Sequence, residues 1–233
     1  MKRTVFITGT DTGVGKTVLT ALLAGFLRER GVRVAALKPV CSGGRDDARM
    51  LRVALGGALT LDEINPWYFR APIAPVLAAR REEKTVRLAA ALEHLRTMRK
   101  NFDVVLVEGA GGLLSPLGED FDSRDLMTAL RAMPVIVAPN KLGAVNQILL
   151  TLEALPKSLR TRARIVLMMP PKPDAATRSN AALLAELSVH NICRLPWFRA
   201  AFSVAEVLRQ PRIRQTLAAI AGLENPMHAP QDP

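Results

Sequence analysis

The stretch Gly9-Thr10-Asp11-Thr12-Gly13-Val14-Gly15-Lys16-Thr17 constrains this chain more than any other. A short apolar run at residues 4–8 precedes it and reads as a strand. A helical pattern at residues 16–30 follows, with Leu19, Leu22, Leu23, Phe26 and Leu27 on one face and Gly31 as its stop signal. A glycine-rich turn between strand and helix lets backbone N–H groups face inward around phosphate oxygens, and the helix N-terminus favours their charge. In that setting a lysine reaches the outer phosphates and a hydroxyl ligates magnesium. Gly13, Val14, Gly15, Lys16, Thr17 and Val18 are therefore candidate contacts to a nucleoside triphosphate with Mg2+. One detail is unusual. The common spacing puts the first glycine at position 10, but here that position is Thr10 and the glycine is Gly9.

The remaining chain alternates in the same way. Apolar runs at 32–37, 104–107, 134–138 and 165–168 read as strands, and patterns at 87–100, 145–155 and 175–187 as helices. Alternating strands and helices predict an α/β fold of the P-loop NTPase type, a mostly parallel sheet with helices on both faces. The strands lack polar alternation, as a sheet covered on both sides requires. Residues 65–75 hold Pro66, Pro72 and Pro75 and read as a loop. Residues 1–223 are expected to form a single domain, and the proline-rich stretch 224–233 a flexible tail.

Two carboxylates suit a metal beside the phosphates. Glu108 ends a strand, where a side chain enters the crevice in which α/β sheets bind ligands. Gly109, Ala110 and Gly111 after it allow a close backbone approach. Asp47 follows the turn Ser42-Gly43-Gly44 at the start of a helical stretch, and Asp46 is its rival. Magnesium favours one or two carboxylates plus phosphate and water oxygens, so Thr17, Asp47 and Glu108 form the candidate ligand set. Lys38 at a second strand end joins Lys16 in facing an anionic reactant.

Other classes find little support. The net charge is +11, but the basic residues are spread out with no nucleic-acid motif, so no nucleic-acid partner is expected. Cys41 and Cys193 are too few for a disulfide framework and suit a reduced, cytoplasmic protein. Cys41 reads as a small space-filler, and Met168 and Met169 as core filling. No run approaches the ~18 apolar residues of a membrane helix. His94, His190 and His228 lack metal-ligand spacing.

An ordered set of motifs carries a resemblance. The loop from Gly9 to Thr17, Lys38-Pro39-Val40-Cys41-Ser42-Gly43, Asn65-Pro66, Val107-Glu108-Gly109-Ala110-Gly111-Gly112, Leu142-Gly143-Ala144-Val145-Asn146 and Leu195-Pro196-Trp197 resemble dethiobiotin synthetase. The resemblance runs from about residue 4 to about 198, and the displaced glycine is part of it. It implies a cytosolic homodimer that closes a ureido ring from 7,8-diaminopelargonic acid and CO2 with ATP and Mg2+. The route passes through a carbamate and a carbamic-phosphoric anhydride. The resemblance assigns Lys16 to the phosphoryl group and Lys38 to the carbamate, with Thr12 and Ser42 hydrogen-bonding substrate. It implies that Gly143, Ala144, Val145 and Asn146 reach the substrate bound by the partner subunit.

Two departures stand out. The family reads adenine partly with an Asn at the end of the strand near 165–169, where this chain has Met168-Met169-Pro170-Pro171. Weaker base discrimination is expected, through backbone and stacking contacts near Pro196, Trp197 and Phe198. Ala74-Pro75-Val76 replaces a usual Ser-Pro-His and points to a lost polar lining residue. Alternatives are a cobyrinate-type amidotransferase synthetase, a partitioning-type ATPase switch and an inactive nucleotide-binding relative. The first needs a glutaminase domain for which this chain is too short. The second carries an extra lysine where this loop has Asp11.

Overall fold

The computed structural model describes residues 2–198 and 202–223. The expected tail at 224–233 and His228 lie outside them.

Eight strands occur among these residues: β1 (Arg3–Gly9), β2 (Val34–Leu37), β3 (Val40–Ser42), β4 (Trp67–Phe69), β5 (Val104–Glu108), β6 (Met133–Pro139), β7 (Arg164–Met169) and β8 (Ile192–Pro196). The helices are α1 (Lys16–Glu29), α2 (Asp46–Ala54), α3 (Leu61–Ile64), α4 (Pro75–Arg81), α5 (Leu88–Asn101), α6 (Ser123–Ala129), α7 (Ala144–Glu153), α8 (Lys157–Arg160), α9 (Ala175–Glu186), α10 (Val204–Val207) and α11 (Pro211–Ala221).

Six strands form one sheet in the order β2-β5-β1-β6-β7-β8, and every pairing in it is parallel. β1 lies inside the sheet, with Ile7 opposite Glu108 on one side and Gly9 opposite Val137 on the other. The phosphate loop and Glu108 thus leave the sheet side by side. Successive residues of β1, β6 and β7 point to opposite faces and are nearly all buried. Both faces are therefore covered, which explains the unbroken apolar runs. The core is aliphatic around Phe6, Phe26 and Phe69, with Leu19, Leu22 and Leu23 of α1 fully packed.

The expected loop at 65–75 is only partly a loop. β4 lies within it and pairs with β3 in parallel, Val40 opposite Trp67 and Ser42 opposite Phe69. Pro66 precedes this strand and Pro72 follows it, so neither proline removes one of its ladder donors. Strand β8 and helix α11 were not expected. β8 is an edge strand with partly exposed residues and Arg194 in its middle, which hides the apolar signal.

Candidate active site

The phosphate loop joins β1 to α1. Gly15 caps α1 with φ at 102°, a left-handed backbone that favours glycine. A Cβ there would also lie 3.0 Å from Met168 Cε. The displaced Gly9 has a steric reason. A Cβ on it would come within 2.6 Å of Val14 Cγ2, because Val14 folds back beneath the loop and is buried. The first turn of α1 contains no acidic residue, so nothing in it offsets the positive end of the helix dipole.

Two buried lysines face this loop. Lys16 Nζ donates to the Asp11 carbonyl at 2.7 Å. Burial lowers its pKa to about 8; Glu108 opposes that shift and Lys38 adds to it. Lys38 follows β2, and its ammonium is ion-paired to Asp47 and, at 2.7 Å, to Glu108 Oε1. Burial works against that charge, but Glu108 and Asp47 outweigh it and hold the pKa above the usual lysine range. Burial alone would raise the Asp47 carboxyl, yet Lys38 keeps it below the ordinary carboxylate value.

Glu108 Oε1 also accepts a hydrogen bond from Thr17 Oγ1 at 2.7 Å. Its other oxygen, Oε2, is buried and has no hydrogen-bond partner among the described residues. A buried carboxylate oxygen left unpaired is costly and is a natural ligand position for a cation. A hydroxyl and two carboxylates match the hard oxygen donors that magnesium prefers, so Thr17, Asp47 and Glu108 fit it. Of the two aspartates, only Asp47 borders the cavity. Both occupy the first turn of α2, but Asp47 faces Lys38 while Asp46 pairs outward with Arg49.

These groups line a cavity of about 920 Å3. Thr12, Gly13, Gly15, Lys16, Thr17 and Val18 border it, with Lys38, Ser42, Asp47, Glu108, Ala110 and Gly111. Its apolar end holds Met168, Trp197 and Phe198. Val14, Gly109 and Pro196 are not on its wall. Ser42 Oγ donates to the Ile73 carbonyl at 2.6 Å, so its hydroxyl proton is already engaged. Leu142, Gly143 and Asn146 are exposed; Gly143 caps α7, and none of Gly143 to Asn146 reaches this cavity. Asn146 instead borders a separate cavity of about 570 Å3 with Arg160 and His190.

The sequence reading missed several wall residues. Met50, Pro72, Ile73, Pro75 and Ser115 face the cavity, and Ala74 lines it where a polar residue was expected to be lost. Met168, read as core filling, is both buried and a cavity wall. Cys41 fits its space-filling reading: burial raises its thiol pKa to about 11.

The apolar end is polar only behind its wall. Asn140, just past β6, donates to the Thr177 carbonyl at 2.9 Å and to Met169 Sδ at 3.1 Å. Its Oδ1 accepts from Asn180 at 2.8 Å. The amides nearest this end of the sheet are thus consumed internally, and neither borders the cavity. Trp197 N–H donates to the Met169 carbonyl at 2.8 Å, which ties β8 to β7 at the wall.

A glycine-rich loop with Lys16 and Thr17, between a central parallel strand and a helix, defines a P-loop nucleotide-binding protein. Known proteins carry the assignment further. A family model described as an AAA domain matches residues 3–201. An ATP-dependent dethiobiotin synthetase of Anaeromyxobacter dehalogenans is 41% identical over 84% of this chain and 90% of its own length. One of Methanococcus vannielii is 36% identical over 66% and 72%. The chain belongs to the dethiobiotin synthetase family, whose members are ATP-dependent cyclo-ligases. Solved structures share the fold alone. A MinC:MinD cell division complex of Aquifex aeolicus has a TM-score of 0.60 at 16% identity, covering 97% of this chain and 98% of its own. A cobyrinic acid a,c-diamide synthase of Mycobacterium smegmatis with ADP and magnesium has 0.55 at 19%, covering 95% and 94%. Among the described residues, no helix is long and apolar enough to cross a membrane.

Proposed function

We propose that this chain closes the ureido ring of dethiobiotin from 7,8-diaminopelargonic acid and CO2, with ATP as phosphoryl donor. The observation that supports this best is the convergence of Lys16, Lys38, Thr17, Asp47 and Glu108 on one wall of the cavity. Every intermediate of that route is anionic, and phosphoryl transfer depends on positioning and on neutralising charge.

One amine of the diamine adds to CO2 and loses a proton, giving a carbamate. A carbamate oxygen attacks the γ-phosphorus, and ADP leaves. The second amine attacks the carbamoyl carbon, the ring closes, and phosphate leaves with the C–O bond broken. Lys38 orients the carbamate, and Lys16 follows the transferring phosphoryl group. Thr12 and Ser42 position the substrate, Ser42 through its lone pairs. Magnesium, held by Thr17, Asp47 and Glu108, supplies charge neutralisation across the phosphates when bound. The base lies against Met168, Trp197 and Phe198, where stacking and backbone contacts replace side-chain readout. The segment Gly143 to Asn146, exposed at Gly143 and Asn146, serves the site of a second copy in a homodimer.

Incubating the protein with the diamine, bicarbonate, Mg2+ and ATP tests the reading; dethiobiotin is the expected product. Intact nucleotide binding with no dethiobiotin would overturn it in favour of an inactive relative.

A further inference from the structure

Lys38 is expected to serve a substrate, yet its ammonium already donates to two carboxylates. It is ion-paired to both carboxylates of the candidate metal site, Asp47 and Glu108. The Glu108 oxygen it holds is the same one that accepts from Thr17. Both carboxylates that fit a divalent cation therefore already pair with a cation of the protein's own. Glu108 is fully buried, so its charge requires a compensating partner.

We infer that Lys38 is an internal counter-ion for the metal site and makes entry of the divalent cation depend on the nucleotide. A metal alone that takes Asp47 and the free Glu108 Oε2 must compete with the buried ammonium for Asp47 and sit against its charge, which is unfavourable. A metal arriving with a triphosphate brings anionic oxygens, and the displaced ammonium then has an anion to face. The same displacement delivers Lys38 to the carbamate, so metal loading and substrate clamping become one event. This coupling rests on the magnesium and carbamate roles proposed above, but it concerns a binding order that can be measured without turnover.

Mn2+ serves as the probe, its free concentration read by electron paramagnetic resonance. Nucleotide-free wild-type protein should bind Mn2+ weakly, and Lys38→Met at least about tenfold more tightly, because the carboxylates lose their internal partner. Lys38→Arg, which keeps a cation, should behave like wild type. With ADP present, all three should bind. Equal Mn2+ affinity for wild type and Lys38→Met without nucleotide would overturn the inference. If Lys38→Met does not fold, the wild-type lysine ammonium resonance decides by NMR. It should shift with Mg·ADP but not with ADP and a chelator, and no shift in either sample would overturn the idea. Dethiobiotin formation is scored separately: a chain that makes none but shows this Mn2+ pattern keeps the counter-ion role and loses the synthetase reading.

Discussion

The two ends of the cavity are built on opposite plans. At the charged end, Lys16, Lys38, Asp47, Glu108 and Thr17 are cross-bonded or buried, and oppositely charged groups meet within hydrogen-bond distance. At the apolar end, Met168, Trp197 and Phe198 offer surface, and the amides of Asn140 and Asn180 are turned inward. Charge in a desolvated site is directional and intolerant of exchange, whereas an apolar wall accepts any flat ring. Under the proposed function, such a site would demand a particular phosphate chemistry and tolerate variety in what carries it.

The largest expected effect lies at the charged end. Lys38→Ala should lower turnover by about a thousandfold, the scale of removing a preorganised charge partner of the reacting group. ATP affinity should be unchanged or tighter. Equal losses in ATP binding and turnover would erase the distinction between a substrate lysine and a phosphate lysine. A smaller effect belongs to the apolar end. ATP, CTP and GTP should support kcat/KM values within about tenfold of each other, and Trp197→Ala should reduce all three by about 1–3 kcal/mol of lost stacking. A strong preference for ATP would show that the base is read after all. The smallest signal is a proton. Lys16 titrates near 8, below its unfolded value of 10.5, so burial penalises its charged form. That penalty on folding is full below about pH 8 and fades as pH rises toward the unfolded value, so stability gains from this group with rising pH. Phosphate binding restores the ammonium. ADP should therefore take up close to one proton at about pH 9 and almost none at about pH 6.5, measured by calorimetry in buffers of different ionisation enthalpy. The same uptake at both values would place Lys16 away from the phosphates.

The contrast also explains what the sequence could say. Gly9 to Thr17 and Glu108 were legible because each motif is contiguous and flanked by its own strand. The choice between Asp46 and Asp47 was not. Both are adjacent in one helical turn, and only the position of Lys38 tells which way the helix faces. The walls contributed by Pro72, Ile73 and Pro75 depend on β3 pairing with β4, a tertiary event that no local pattern announces. Met168 looked like core because it is core; that its other flank meets Gly15 and the cavity is a matter of strand order.

The anchoring of Lys38 has a consequence in time. Its N–H donates to the Ile64 carbonyl at 2.9 Å, and its own carbonyl accepts from the Asn65 side chain at 2.8 Å. Asn65 is fully buried and also donates to the Trp67 carbonyl at 3.3 Å. The main chain at Lys38 is thus clamped on both sides by the junction between α3 and β4. Moving the ammonium from the carboxylates to a substrate leaves only the four-carbon arm to swing. That swing must first break the buried ion pairs to Asp47 and Glu108, so its rate is set by those pairs and not by a loop closure over microseconds to milliseconds. A slow arrival of this lysine at a substrate would then trace to the strength of those two ion pairs, and not to movement of the main chain.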